Sequence, residues 1–154
     1  MRIILGADEH GFLLMNEIYD FLKASKMDVE MLSPADGIGR DYPDIGNAIA
    51  IMVRRGTYDR AILCCATGAG MAIVANKVTG VRAVCVSDRV TAERAITRND
   101  ARVITLGGEL LDSTIAKELV AIWLAHEFQG GNSSRKVARI VELEQVGDDN
   151  YTSP

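Results

Sequence analysis

Five short apolar segments of the chain alternate with segments of helical periodicity. In the first of the helical segments, Leu14, Ile18 and Leu22 recur at the spacing of one helix face. Strands that alternate with helices form parallel sheets that are covered by helices on both faces. The sequence therefore predicts an α/β fold with a five-stranded parallel sheet, whose strands lie within residues 3–5, 29–32, 61–64, 81–86 and 102–106.

The segments near the end of the chain depart from this alternation. A last helix is predicted after Gly130 and Gly131, with Val137, Ile140 and Val141 as its apolar positions. No strand precedes this helix, so we expect it to extend from the domain to a dimer partner. Residues 1–145 are predicted to form one domain, residues 146–154 a polar tail, and residues 33–41 a loop rich in glycine and proline.

Composition limits the classes of partner and the compartment. The net charge is -4, which argues against a general affinity for nucleic acid or for an anionic membrane. No apolar run reaches the roughly 18 residues that a membrane-spanning helix needs. The apolar part of the first residues is too short for a secretory signal, so a cytoplasmic location is expected. Three cysteines without zinc-type spacing, and only two histidines, predict reduced thiols and no metal site.

Ligands of open parallel sheets bind at the carboxyl ends of the strands. This rule selects residues 8–11 after the first strand and residues 65–70 after the third. Weaker candidates are residues 98–100 and Asp88. The alternative for Asp88 is that it caps the helix that follows, a role that Ser87 could also have. Asp8 is expected either to cap the first helix or to face a ligand with its carboxylate.

The third strand delivers Cys65 into a glycine-rich turn that leads into a helix. Backbone N–H groups at such a turn attract negative charge and favour a thiolate over a thiol. A base would then lie beside an oxyanion site, as proton abstraction next to a carbonyl requires. Cys64 and Cys85, within strands, are expected to be buried core residues. The turn fails the dinucleotide-binding pattern because Ile73 stands at the third glycine position.

Seven motifs in register resemble the ribose-5-phosphate isomerase B and galactose-6-phosphate isomerase family. The resemblance covers the chain up to about Leu143. The motifs are Gly6-x-Asp8-x-x-Gly11-Phe12, Asp41-Tyr42-Pro43, Cys65-x-Thr67-Gly68-x-Gly70-Met71, Ala75-Asn76-Lys77, Gly80-x-Arg82-Ala83, Asn99-Asp100-Ala101 and Phe128-x-Gly130-Gly131.

The resemblance implies a Rossmann-like three-layer fold, a homodimer or dimer of dimers, and isomerisation of an aldose to a ketose through an enediolate without metal or cofactor. It implies that Cys65 is the base, that Asp8 handles the sugar hydroxyls and that Thr67 assists ring opening. Further implied roles are an anion hole at Gly68, Ala69 and Gly70, a substrate contact by Tyr42, and a contribution of Asn99 across the dimer interface.

Three positions depart from what the family commonly has. Glu9 and Arg98 stand where histidines are usual, and Asn132 stands where an arginine is usual. Lys136 aligns with a further arginine, and Arg135 precedes it. Because Glu9 would repel a phosphate in the usual place, we expect Arg98 to bind it, together with Arg135 or Lys136.

These departures predict a substrate other than ribose 5-phosphate. An open-chain tetrose phosphate, a hexose phosphate and a sugar whose far end carries no phosphate remain alternatives. Two alternative functions also remain: a non-catalytic partner subunit that binds sugar phosphates, and a nucleotide-binding regulatory module.

Overall fold

The computed structural model describes residues 1–32 and 41–146, so most of the predicted loop at 33–41 and nearly all of the predicted tail lie outside the described residues. The strands are β1 (Arg2–Ala7), β2 (Asp28–Met31), β3 (Arg60–Cys65), β4 (Ala83–Cys85) and β5 (Val103–Gly107). The helices are α1 (Phe12–Ala24), α2 (Tyr42–Arg54), α3 (Ala69–Ala75), α4 (Arg89–Thr97), α5 (Ser113–Leu124) and α6 (Asn132–Val146). None of these helices is long and apolar enough to cross a membrane.

All strand pairs are parallel and the sheet order is β2-β1-β3-β5-β4, which confirms the predicted sheet. Successive side chains of a strand point to opposite faces. Ile62 and Cys64 of β3 accordingly pack with α1, α4 and α5, while Leu63 and Cys65 pack with α2 and α3. Helices therefore cover both faces of the sheet, as the three-layer prediction requires, and Cys65 lies on the α2–α3 face.

The fourth strand is shorter than predicted. It spans Ala83–Cys85 rather than residues 81–86 and pairs only with β5, at the edge of the sheet. The Asn76 side chain donates to the Ala83 carbonyl at 2.8 Å and accepts from the Ala83 N–H at 2.9 Å, in place of a further strand. The expectation that Cys85 is a buried core residue is wrong, because Cys85 is exposed on this edge strand.

Helix α6 is present as predicted but stands apart from the layers. The Gln129 N–H donates to the Thr97 carbonyl at 3.2 Å, which brings the start of α6 near the end of α4. Glu144 accepts from the Gly80 N–H at 2.9 Å. Most α6 side chains are exposed, including Ile140 at 38% and Leu143 at 42%. An apolar stripe on α6 therefore faces outward.

The turn between β3 and α3 is held from the neighbouring strand β5. Gly68 has a φ of +83°, in the left-handed region that glycine adopts without strain. Thr105 of β5 is fully buried, and its Oγ1 donates to the Gly68 carbonyl at 2.8 Å. The turn that follows Cys65 thus depends on a hydroxyl from a strand 40 residues further along the chain.

Replacement of Thr105 tests this contact. Thr105→Val keeps the shape of the side chain but removes one of the two donors to the Gly68 carbonyl, which also accepts from the Ala72 N–H at 3.1 Å. We therefore expect a loss of about 0.5–1.5 kcal/mol in the free energy of unfolding. Thr105→Ser keeps the hydroxyl and removes one buried methyl group, which should cost about 1 kcal/mol or less. Urea unfolding of both variants measures the two losses, and a Val variant as stable as the unmodified chain would contradict the assigned hydrogen bond.

Candidate active site

A cavity of about 850 Å³ opens at the carboxyl edge of the sheet, between the loops after β1 and β3 and the start of α2. Parallel strands end at the same edge, and β1 and β3 are neighbours, so these loops lie side by side. Six residues that the sequence singled out line the cavity: Asp8, Glu9, Tyr42, Cys65, Thr67 and Gly70.

Cys65 is the last residue of β3 and is 4% exposed. Its Sγ accepts a hydrogen bond from the Gly68 N–H at 3.2 Å. A donor aimed at sulfur stabilises the thiolate, which is the basic form of the side chain. The geometry therefore equips Cys65 to take a proton from a molecule in the cavity.

The neighbouring Cys64 faces the other side of the sheet and is fully buried, as predicted. Burial raises the pKa of the Cys64 thiol far above its ordinary value, and the nearby Cys65 and Asp8 raise it further. Cys64 therefore stays a neutral thiol in the core, and the two adjacent cysteines differ in chemistry because they point to opposite faces.

The N–H groups of the glycine-rich turn are directed mainly at side chains of the turn itself. Gly68 donates to Cys65, and the Ala69 N–H lies 3.4 Å from the Thr67 Oγ1. Gly68 and Ala69 do not line the cavity directly, whereas Thr67 and Gly70 do. The N–H groups of this turn thus hold the Cys65 thiol and the Thr67 hydroxyl in place.

Asp8 organises the loop after β1. Its Oδ1 accepts from the His10 N–H at 3.1 Å and from the Gly11 N–H at 3.0 Å, and the side chain is not a cap of α1, which begins after Gly11. A Cβ on Gly11 would lie 2.2 Å from the carbonyl carbon of Cys64. This close backbone approach brings Asp8, which is 8% exposed, to the cavity wall that also holds Cys65.

Tyr42 forms the facing wall at the start of α2. Its ring lies over Gly70, where an added Cβ would be 2.8 Å from a ring carbon. Tyr42 is 40% exposed and lines the cavity. The position fits the substrate contact that the family resemblance implies for this residue.

The wall of the cavity is acidic. Asp8, Glu9, Asp41 and Asp44 contribute carboxylates, and His10 is the one basic side chain among the described lining residues. A phosphate in the cavity would therefore meet repulsion from these described carboxylates unless cations approach it.

Five further candidates do not line the cavity: Arg98, Asn99, Asn132, Arg135 and Lys136. The expectation that residues 98–100 lie at the carboxyl edge of the sheet is wrong. Arg98 and Asn99 follow α4 and precede β5, so they lie at the amino edge of the sheet. The Asn99 carbonyl there accepts from Arg82 at 2.8 Å, just before β4 begins. Asn132, Arg135 and Lys136 are exposed on the first turns of α6, which start near the end of α4.

Asp88 lies at the carboxyl edge, but its side chain is committed to α4. Its Oδ1 accepts from the Thr91 N–H at 2.8 Å, which makes Asp88 rather than Ser87 the cap of the helix. The Thr91 hydroxyl also donates to Asp88, and both bonds lower the pKa of the Asp88 carboxyl.

Sequence reasoning missed Glu109 and gave no role to His10. Glu109 follows Gly108 in the loop after β5, and its Oε1 lies 2.9 Å from the His10 Nδ1. The rule that points to the carboxyl ends of strands applies to β5 as it does to β1 and β3, and could have found this residue. Among the described residues there is no group of three or more His, Cys, Asp or Glu side chains that could hold a metal ion.

Comparison with known proteins agrees with this architecture. The family model described as Ribose/Galactose Isomerase matches residues 3–140. The D-erythrulose-4-phosphate isomerase of Pectobacterium atrosepticum is 41% identical over 142 residues, which cover 91% of this chain and 93% of that protein. The ribose-5-P isomerase B of Listeria innocua is 37% identical over 145 residues, which cover 94% of this chain and 98% of that protein.

A solved structure shares the fold over almost the whole chain. The ribose-5-phosphate isomerase B of Clostridium thermocellum superposes with a TM-score of 0.91 at 38% identity, covering 94% of this chain and 98% of that one. The family that the sequence motifs predict is confirmed by this agreement of sequence and structure. The chain therefore belongs to the ribose/galactose isomerase family and is an isomerase.

Proposed function

We propose that this chain interconverts an aldose and a ketose phosphate through an enediolate, with Cys65 as the base and without metal or cofactor. The observation that carries the proposal is the Cys65 thiol, which accepts a hydrogen bond from Gly68 at the wall of a cavity large enough for a sugar phosphate. In the direction from aldose to ketose, the Cys65 thiolate takes the proton from C2 of the aldose and returns it to C1. Thr67 and Asp8 contact the sugar oxygens near these carbons.

The substrate that we propose is a sugar phosphate other than ribose 5-phosphate. Glu9 places an exposed carboxylate on the cavity wall, which disfavours a phosphate at that position. The relatives include a D-erythrulose-4-phosphate isomerase as well as a ribose-5-P isomerase B. A four-carbon sugar phosphate cannot close a stable ring through its own chain, so it has less need of catalysed ring opening. An open-chain tetrose phosphate is therefore the first substrate to test.

The cations for the phosphate are proposed to come from a second copy of the chain. Arg98, Arg135 and Lys136 lie at the amino edge of the sheet, with Asn99 and Asn132 beside them, and are apart from the cavity within one protomer. A homodimer in which this edge of one protomer faces the cavity of the other would bring positive charge to the acidic side chains that line the described part of the cavity. The outward apolar stripe of α6 offers buried contact area for such a dimer.

Cys65→Ala tests the base. We expect turnover of the best sugar phosphate to fall by about 100-fold or more, because no other group takes the carbon-bound proton. Incorporation of solvent deuterium at C1 or C2, followed by NMR, should be lost to the same extent. The panel of substrates covers tetroses, pentoses and hexoses, each with and without phosphate.

Cys85→Ser is the matched control, since Cys85 lies outside the cavity lining and a serine hydroxyl keeps a donor for the Thr67 carbonyl, from which the Cys85 Sγ is 3.6 Å away. It should keep turnover close to that of the unmodified chain. Retention of most activity by Cys65→Ala would contradict the thiol-base mechanism. Stabilisation of the unmodified chain by sugar phosphates without any deuterium exchange would identify a non-catalytic binding subunit instead.

Arg98→Ala tests the source of the phosphate contact. Loss of a charge-assisted hydrogen bond costs about 1.5–3 kcal/mol, so we expect KM for the phosphorylated sugar to rise about tenfold or more. The KM for the corresponding free sugar should change little. Steady-state kinetics with both forms of the sugar measure the ratio.

Equal effects of Arg98→Ala on both forms of the sugar would contradict this contact. Mixing the Cys65→Ala and Arg98→Ala proteins tests whether the site is shared between protomers. A mixed dimer then holds one site with both native residues, so activity at low substrate concentration should exceed that of either variant alone. No gain after complete subunit exchange would contradict a shared site.

A further inference from the structure

His10 is held in a defined orientation at the wall of the cavity. Its backbone N–H donates to the Asp8 Oδ1 at 3.1 Å, and its Nδ1 lies 2.9 Å from the Glu109 Oε1. The ring is about half exposed, at 52%, and its Nε2 lies 3.4 Å from the exposed Glu9 carboxylate. The Nδ1 is thus bound to Glu109. The Nε2 is exposed and makes only the 3.4 Å contact to Glu9, which a molecule in the cavity could replace.

Backbone packing fixes the position of the Glu109 main chain, while the Glu109 side chain, which contacts His10, is 56% exposed. Its N–H donates to the Ala66 carbonyl at 3.0 Å, and the N–H of the preceding Gly108 donates to the Cys65 carbonyl at 2.8 Å. A Cβ on Gly108 would lie 2.5 Å from the His10 carbonyl oxygen. The loop after β5 is therefore packed against both loops that carry the proposed catalytic groups.

We propose that His10, oriented by Glu109, is the acid–base group that exchanges protons with the substrate oxygens. This inference rests on the proposed isomerase function and assigns the oxygen-bound protons, whereas Cys65 carries the carbon-bound one. A carboxylate that binds one ring nitrogen fixes the imidazole so that the other nitrogen meets the substrate. Glu109 is in this sense a positioning residue.

The proton balance requires a group that both gives and takes a proton. When the Cys65 thiolate removes the C2 proton, the C–H electron pair forms the C1–C2 double bond and the carbonyl π electrons move to O1. His10, acting in its imidazolium form with Nδ1–H donated to Glu109, gives its Nε2 proton to O1, which leaves a neutral imidazole and the enediol. His10 then takes the proton from the hydroxyl on C2, the new carbonyl forms there, and the thiol returns its proton to C1. Both side chains end in the state in which they began.

Imidazole suits this cycle better than the other polar groups of the wall. An ionised carboxylate such as Asp8 only accepts hydrogen bonds, and its Oδ1 is already bound to two backbone N–H groups. An imidazolium donates from Nε2 and accepts at the same nitrogen after that proton has left, while its Nδ1–H stays bound to the carboxylate. Among the described residues that line the cavity, His10 is the one histidine.

The experiment compares His10→Gln and Glu109→Gln with His126→Gln on D-erythrulose 4-phosphate, or on whichever sugar phosphate of the panel the unmodified chain turns over fastest. His126 lies outside the cavity lining and its Nδ1 is 2.7 Å from the Ile122 carbonyl, so its variant controls for loss of a histidine. We expect kcat of His10→Gln to fall by about 100-fold with KM changed less than threefold. Glu109→Gln should lower kcat by a smaller factor with KM unchanged, and His126→Gln should match the unmodified chain.

A kcat of His10→Gln within threefold of the unmodified chain, or a loss that lies in KM alone, would overturn the inference. If His10→Gln does not fold, as judged by thermal unfolding, Glu109→Gln decides: an unchanged kcat overturns the inference and a lowered kcat supports it. Absence of turnover and of deuterium incorporation in the unmodified chain, on every sugar tested, would overturn the proposed function and this inference with it. Normal turnover of the unmodified chain together with an unaffected His10→Gln overturns the inference alone.

Discussion

Direct backbone contact between the loops at the carboxyl edge of the sheet is the constraint on which the rest of the site depends. Gly11 lies against the end of β3, and Gly108 lies against the carbonyl of His10, at distances that leave no room for a Cβ. Because β1, β3 and β5 are neighbours in the sheet, their loops meet without intervening side chains. The thiol, the Asp8 carboxylate and the His10–Glu109 pair consequently lie on adjoining loops around one cavity.

The same arrangement separates charges of opposite sign. Carboxylates and a single histidine surround the cavity in the described residues, whereas Arg98, Arg135 and Lys136 are at the other edge of the sheet. The described residues around the cavity therefore carry net negative charge, which disfavours a phosphate beside them. The charge distribution is one physical reason for the dimer that we propose. This reason is independent of the apolar stripe on α6.

Most of the sheet, and the presence of six candidate residues at the cavity, could be predicted because the sequence signals for them are local. The alternation of apolar and helical segments identified the five strands, and the position of Cys65 after a buried strand placed it at an edge where ligands bind. Cys85 was assigned to the core because a strand residue was assumed to be covered on both faces. Cys85 is exposed as the last residue of the short edge strand β4, whereas Ala83 on the same face of that strand is buried, and strand order is a non-local property.

The fold class, the family and the thiol at the end of β3 were readable from the chain alone, since each of these depends on periodicity or on motifs of a few neighbouring residues. Which residues meet depends on the folded arrangement of the strands. Glu109 is 99 residues from His10 in the chain, and Thr105 is 37 residues from Gly68, yet both pairs form hydrogen bonds. Arg98, in contrast, lies between α4 and β5 at the amino edge of the sheet, opposite the carboxyl edge at which the sequence predicted it. Strand order sets these distances, because it brings the ends of β1, β3 and β5 together irrespective of their separation in the sequence.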